Sequence, residues 1–570
     1  MTRDNEQDVM PKVLPSPVHE SSSEAYRISQ NVSTILLFFL IASFTVLSIT
    51  CILQSPAVSY DASFGLLTWQ SMAKGSEFNC LRMALPENLA TDRDEFWAAH
   101  TPGQFYLPGM LSRMTSMTIG TSLAIVQILG VGAGLAGYYR LYVRTFGFSK
   151  KVALLACVVS LFRRESLYQF LEYSGGPLLL FAGTPYFLMS SITCLRRRGF
   201  YLLFVPVIFL AGAFLKLSFV LIALSVTVAS VLDRVVRRNR EDRLQLAVQS
   251  ALDGVIFLVF YTLLYVFHIS KGWTAAHIST GSSPGETGLL FSYSLAASLS
   301  GITSVFWSLA KLGSPLHFLS PQSYRSVSDA WLIVVIVLAA TFVAILRLVS
   351  LRIPMREYRL ILLSLTIVHV FALTGLFLGG SLIAEDRHFW PVSAILLPGV
   401  ICIVTRMPTS RWRSAIIFAT LSITAFQLVY AVAAYGVSLK RSAHAGRSES
   451  LGLSYPGVSQ QLITTIERLD ADPSAGRRVF FFTEPSLALL VRKSTLRVAT
   501  DVKDALARSY AGAERIDSLI LVVPENIGSA KTITMIQSRF QASKSWRTTS
   551  MGPYVISCSG CNSLGSEDSF

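Results

Sequence analysis

The chain has 570 residues, 52% of them hydrophobic and only 15% charged, against about 25% charged in an ordinary globular domain. Mean hydropathy is +0.51, and apolar runs recur from Val32 to Tyr435, most of them near the ~20 residues a helix needs to cross a ~30 Å hydrocarbon core. That excludes a string of soluble domains and makes the lipid bilayer the first partner. The net charge of +15 does not point to nucleic acid, because Lys and Arg stand in short clusters between the apolar runs, where they set membrane orientation.

A polar head, 1–31, carries three basic and five acidic residues. It is too long for a secretory n-region and lacks a clear small-residue cleavage site, so the run 32–53 is expected to be a retained anchor behind a disordered cytoplasmic head. Further spans are expected at about 119–143, 152–162 (short), 175–195, 200–216, 217–232, 246–267, 330–346, 360–383, 389–405 and 414–436, eleven in all. The pair 200–216 and 217–232 reads as a hairpin, since the apolar stretch between the Arg196-Arg197-Arg198 and Arg234-Arg237-Arg238 clusters is too long for one crossing. With the N-terminus inside, loops 144–151, 196–199, 233–245, 347–359 and 406–413 hold 18 Lys/Arg and four acids, Asp233, Glu241, Asp242 and Glu357. The positive-inside rule assigns these loops to the cytoplasm. The opposite face then receives 54–118, 163–174, 268–329, a tight turn at 384–388 and everything after Tyr435.

From about 437 the pattern changes. Arg478–Thr483, Leu496–Thr500 and Ser518–Pro524 read as buried strands, separated by segments of helical composition at 485–493, 501–511 and 527–541. The expected architecture is therefore an α-helical polytopic membrane protein, 32–436, followed by a small extramembrane α/β domain, 437–570, with a flexible tail. Seven scattered cysteines do not make a disulfide framework. Cys558-Ser-Gly-Cys561 has zinc-ligand spacing but no second pair, so a local disulfide or a frayed tail is expected there.

The 65-residue first loop, 54–118, exceeds ordinary connections, and such loops tend to carry function. It places Asp61 about eight residues beyond the first span, either as a working carboxylate or as a solvated loop acid or N-cap of a helix over 62–73. Further on, Phe96–Met110 sets His100, a Pro-Gly turn and four aromatics before the next apolar helix. Asp92-Arg-Asp94 has Asp-x-Asp spacing, a weak metal signal in a run of loop acids ending at Glu95. No cofactor is expected beyond that possible divalent metal.

An acid just after span one, followed some forty residues later by a His/Pro-Gly/aromatic membrane entry, resembles the polytopic glycosyltransferases of the GT-C class. The protein O-mannosyltransferase and aminoarabinose transferase group belongs to that class. Gly212-Ala-Phe-Leu-Lys216 at the hairpin tip looks like that class's Gly-Leu-Ala-x-x-x-Lys element, and 384–388 reads Ala-Glu-Asp-Arg-His. His100 is followed by Thr-Pro-Gly where the group has Pro-Pro, and no second acid adjoins Asp61. The resemblance implies transfer of a sugar from a polyprenyl-phosphate-type donor at the outer, periplasmic face of the inner membrane, with inversion. The acceptor is a lipid, glycan or protein hydroxyl. Such chemistry needs a general base, for which Asp61 is the candidate, and a cationic pocket for the leaving phosphate. Arg163, Arg164, Lys216 and Arg387 are the phosphate candidates, Lys216 above all because an ionisable group in an apolar hairpin is functional or snorkels. Glu165, Glu385, Asp386, His388 and His100 are candidates for holding sugar or phosphate, set against hydration of a tight turn or pairing with nearby arginines. The competing class is a transporter or flippase of lipid-linked glycans, which commonly shows internal pseudo-symmetry and broken midplane helices; no internal repeat is visible. A receptor or scaffold working through 437–570 leaves the first loop unexplained.

Overall fold

A computed structural model of the chain describes residues 21–97, 101–196, 198–237, 240–271, 291–292, 294–296, 298–299, 321–377, 386–406, 411–473, 476–499, 502–525, 530–540 and 544–561. The membrane part is built of α1 (Ser21–Gln54), α4 (Ile119–Arg140), α5 (Lys150–Leu161), the short α6 (Arg164–Tyr168), α7 (Gly176–Arg196), α8 (Arg198–Phe214), α9 (Ser218–Arg237), α10 (Arg240–Phe267), α11 (Pro321–Arg352), α12 (Arg356–Phe377), α13 (Asp386–Arg406) and α14 (Arg411–Ala443). Each of the eleven expected spans overlaps one of these helices; residues 378–383 of the span expected at 360–383 lie outside the described residues. Among the described residues six helices are long and apolar enough to cross a membrane by themselves. At 12 residues, α5 rises only about 18 Å, and the short α6 follows it after the extended residue Arg163.

The helices pack through aromatics and glycines. Trp390 of α13 is fully buried and stacks on Phe181 of α7 with ring centroids 3.6 Å apart. Inside α13, Pro398 has no N–H to give the carbonyl four residues back, and in a membrane an orphaned carbonyl needs another donor. Tyr142 supplies it, its hydroxyl donating to the Ala394 carbonyl at 2.6 Å. Tyr358 donates to the next one, Ile395, at 3.0 Å.

At one face the first loop folds into β1 (Ala57–Val58), the helix α2 (Tyr60–Ala73), an antiparallel hairpin of β2 (Cys80–Leu85) and β3 (Asn88–Phe96), and the helix α3 (Gly103–Thr115). The run of acids expected as loop is strand β3. Arg82 and Asp94 stand directly opposite in its register and pair at 2.8 Å. A parallel two-residue pairing joins β1 to β4 (Glu172–Tyr173), so the chain leaving α6 returns to the face that carries the first loop.

The last span runs to Ala443, beyond the expected 436, and is followed by the hairpin β5 (Gly446–Ser448) and β6 (Leu453–Tyr455), then α15 (Gln460–Ala471). The α/β domain holds β7 (Arg478–Phe482), α16 (Pro485–Ala488), β8 (Thr495–Val498), α17 (Val502–Ala507), β9 (Ser518–Pro524), α18 (Ala530–Ser538), β10 (Trp546–Met551) and β11 (Tyr554–Ser559). Its sheet order is β10-β11-β9-β7-β8, parallel across β8, β7 and β9 and antiparallel from β9 to β10. The three expected strands form its parallel half, with β8 at the edge, and α15 and the β10–β11 hairpin are additions. The segment expected as helix at 485–493 keeps only four helical residues. Cys558 and Cys561 form a disulfide.

This domain is clamped to the first loop. Arg477 pairs with Asp92, Arg497 with Glu95 at 3.3 Å, and backbone bonds run from Leu89 to Ala511 at 2.9 Å and from Ala511 to Pro86 at 2.8 Å. The turn between β5 and β6 wedges against the start of α4, where the Gly120 N–H donates to the Leu451 carbonyl at 2.8 Å. Any side chain on Gly120 would run into the Gly452 carbonyl.

Candidate functional site

Asp61 sits in the first turn of α2. The helix is capped by Ser59, whose side chain accepts from the Ala62 N–H, so Asp61 is not the N-cap of a helix over 62–73 but the second residue inside α2. A carboxylate there sits on the positive end of the helix dipole. It is half-buried and engaged within the fold. One helical turn on, Phe64 stacks on Trp97 at 4.5 Å, which brings the end of the β2–β3 hairpin onto the helix face that carries Asp61.

From Trp97 the chain leads to Thr101, whose hydroxyl donates to the Leu215 carbonyl at 2.6 Å, at the tip of the α8–α9 hairpin. Residues 97 and 101 are four apart, so their Cα atoms lie within about 14 Å. The tip therefore stands close to α2. Next to Leu215, the half-buried Lys216 lies against the entry to α7. A Cβ placed on Gly176 would be 2.9 Å from Lys216 Nζ, so glycine at this position is what lets the ammonium lie against the backbone.

Gln104 ties these parts together. Its Oε1 accepts from the Gly176 N–H at 2.8 Å, and its Nε2 donates to the Thr101 hydroxyl at 3.1 Å. The Gln104 carbonyl accepts from Tyr173 OH. The Tyr173 carbonyl in turn accepts the Ser59 N–H at 3.0 Å, two residues before Asp61. An unbroken set of hydrogen bonds thus runs from the α2 start through β4 and Gln104 to the hairpin tip. It links the segments that carry Asp61, the Thr-Pro-Gly turn and Lys216, which are far apart in sequence. A carboxylate and an ammonium framed in this way suit proton abstraction beside a developing anion.

The second short loop supplies Arg163, Arg164 and Glu165. Arg163 donates to the Ser393 hydroxyl on α13, and Arg164 lies over the Tyr168 ring at 5.0 Å. Both line a cavity of ≈ 80 Å³ whose walls are Phe39, Val158, Phe162 and α14 residues from Thr424 to Ala431. Glu165 is only 6% exposed, and its Oε2 has no hydrogen-bond partner among the described residues. Asp386, Arg387 and His388 open α13, so three of the four charged or imidazole residues expected in a tight turn are helical; their side chains, and all of Glu385 and His100, lie outside the described residues. Asp92 and Asp94 point to different partners, Arg477 and Arg82. Among the described residues no group of three His, Cys, Asp or Glu is placed to hold a metal.

Gln104, Tyr173 and Gly176 were not singled out from the sequence. The signal available was Gly175-Gly176-Pro177 at the entry to a span, a glycine pair where a backbone must admit a close neighbour.

No family model and no curated protein matches the chain. Among solved structures, ArnT from Cupriavidus metallidurans in the apo state is similar over 94% of this chain and 99% of its own, at 12% identity and a TM-score of 0.51. The chain has the GT-C fold. The same ArnT bound to undecaprenyl phosphate gives a TM-score of 0.49 at 12% identity over 93% of this chain and 99% of its own. An oligosaccharyltransferase from Archaeoglobus fulgidus gives 0.45 at 13% identity, covering 87% of this chain and 69% of its own. In this GT-C fold the multi-pass membrane part, the first-loop helices and the C-terminal sheet domain form one arrangement, as the clamp between loop and domain requires.

Proposed function

We propose that the chain is an integral-membrane glycosyltransferase that moves a sugar from a polyprenyl-phosphate-type donor to an acceptor hydroxyl at the periplasmic face of the inner membrane. The observation that carries the reading is the framing of Asp61 and Lys216 by one hydrogen-bonded set of residues at the membrane face. As base, the Asp61 carboxylate takes the acceptor O–H proton while the acceptor oxygen bonds to the anomeric carbon. The bond from that carbon to the lipid phosphate breaks, its electron pair stays on the phosphate oxygen, and the Lys216 ammonium offsets the charge. Arg163, Arg164 and Arg387 are proposed as further cations for the lipid phosphate. Glu165, Glu385, Asp386, His388 and His100 are proposed as holders of sugar or phosphate, and no metal-dependent step is proposed. The N-terminus lies in the cytoplasm in this reading, and the α/β domain in the periplasm. The role of Asp61 as base is tested with Asp61→Asn in purified, reconstituted protein. A positioned base contributes about 10²–10⁴-fold, so transfer from a lipid-phosphate sugar should fall by that factor while donor binding survives. Wild-type transfer would remove Asp61 from the chemistry. A flippase would instead move the lipid-linked glycan across the bilayer without forming a new glycosidic bond.

A further inference from the structure

The backbone that delivers Asp61 is held from an unexpected place. At the end of α1 the chain turns through Ser55, at φ 58°, in the left-handed region that a non-glycine residue rarely adopts. The following residue, Pro56, has no N–H. Helices that end on a left-handed residue usually satisfy their last carbonyls with the N–H groups of the next two residues, and here proline removes one of those donors. The next fixed points are the β1 pairing with β4 and the Ser59 cap of α2, so Asp61 lies only six residues beyond the turn.

Ser454, in β6 after the last span, closes this turn. Its hydroxyl donates to the Ser55 carbonyl at 2.8 Å, and its N–H donates to the Pro56 carbonyl at 3.2 Å. The residue is 2% exposed, so water does not readily replace these bonds. The hairpin that presents it is itself fixed, through the Gly120 N–H to the Leu451 carbonyl. At the other end of α2 the Gln70 amide donates to the Leu489 carbonyl at 2.9 Å, so the extramembrane domain grips the helix of Asp61 at both ends.

We infer that Ser454 is a positioning residue for Asp61: its bonds to the Ser55 and Pro56 carbonyls set where the first turn of α2 begins, and so where the carboxylate stands. Ser454 touches no substrate and acts through the backbone. The inference rests on the reading of Asp61 as base, and its test keeps the two separable.

In full-length reconstituted protein, Ser454→Ala should lower kcat for sugar transfer about tenfold or more, with donor KM changed less than about twofold, because binding groups other than Asp61 are not moved. Ser454→Thr, which keeps the hydroxyl, should restore most of the rate. In an Asp61→Asn background, Ser454→Ala should add no further loss, since there is no base left to misplace. A folded Ser454→Ala protein with wild-type kcat, a loss confined to donor KM, or an equal further loss on top of Asp61→Asn would each overturn the inference. If Ser454→Ala does not fold, Ser454→Cys, similar in size but a weak donor, is read by the same kcat and KM split. Asp61→Asn alone distinguishes the failures. Normal transfer in that variant sinks the base reading, whereas a dead Asp61→Asn beside a normal Ser454→Ala sinks only the positioning role.

Discussion

Gly176→Ala separates the position of the Lys216 ammonium from its charge. The added methyl would stand 2.9 Å from Lys216 Nζ and 3.1 Å from its Cδ, against ordinary contacts of ~3.5–4.0 Å, so the amine must retreat by up to about 1 Å. Gly176 does not carry a positive φ, and the close atoms all belong to side chains, Lys216 and, less tightly, Gln104 with its Cδ at 3.3 Å, so folding should be little affected. At an effective dielectric of ~20 two unit charges gain about 4.2 kcal/mol at 4 Å and about 3.3 kcal/mol at 5 Å. A 1 Å retreat from a phosphate then costs about 0.8 kcal/mol, roughly fourfold in rate. Loss of a charge-assisted hydrogen bond costs about 1.5–3 kcal/mol, which extends the range to roughly 150-fold. The assay is the initial rate of transfer from a lipid-phosphate sugar in proteoliposomes, beside a thermal melt. Gly103→Ala is the control, because its methyl would meet the Phe214 backbone carbonyl at 2.5 Å and should lower stability by about 1–3 kcal/mol. Unchanged transfer in both Gly176→Ala and Lys216→Met would refute the placing of the ammonium at the leaving group.

Lys216→Met and Arg387→Gln should each lower turnover or donor affinity at least roughly tenfold, about 1.4 kcal/mol; full activity in both sends the search to Arg163 and Arg164. Burial lifts the Glu484 carboxyl above its ordinary value, partly opposed by its bond to Ser486. The stability this site contributes is therefore fully present below the unfolded value of about 4.3 and lost as pH rises through the raised folded value. Glu484→Gln should accordingly raise the melting temperature at pH 7–8, with the gain shrinking toward pH 5; a gain independent of pH would contradict this. Orientation is read with an impermeant thiol reagent on single cysteines. Those at the exposed positions Glu87 and Thr549 should react from outside and one at Arg352 should not, in a background in which Cys194 is replaced and Cys51, Cys80, Cys157 and Cys402 are buried.

The spans were legible because length and apolarity alone determine whether a helix can cross a bilayer, and the tail strands because Arg478–Phe482 and Ser518–Pro524 are continuous apolar runs. The β2–β3 hairpin was not. Its Thr-Asp-Arg-Asp-Glu stretch has no apolar alternation, and it is held by Arg82 across the strand pair and by Arg477 and Arg497, 385 and 402 residues from their partners. Asp61, His100 and Lys216 stood out as polar residues at membrane entries, but the frame around Asp61 and Lys216 did not. Gln104, Tyr173 and Ser454 are ordinary residue types whose roles come from backbone carbonyls and N–H groups, which every residue has. Ser59 and Asp61 both suit a helix start, and only the structure separates cap from carboxylate.

The contact between Ser454 and the Ser55 carbonyl joins residues 399 apart in sequence. At a synthesis rate of roughly 5–20 residues per second, about 20–80 s pass between the emergence of one partner and the other. During that interval the first loop lacks both the hydrogen bonds that close its turn and the domain that grips α2. The nascent protein therefore carries Asp61 and Lys216 long before the frame that registers them exists, and a chain stalled before the β5–β6 hairpin would be inserted with that frame unmade.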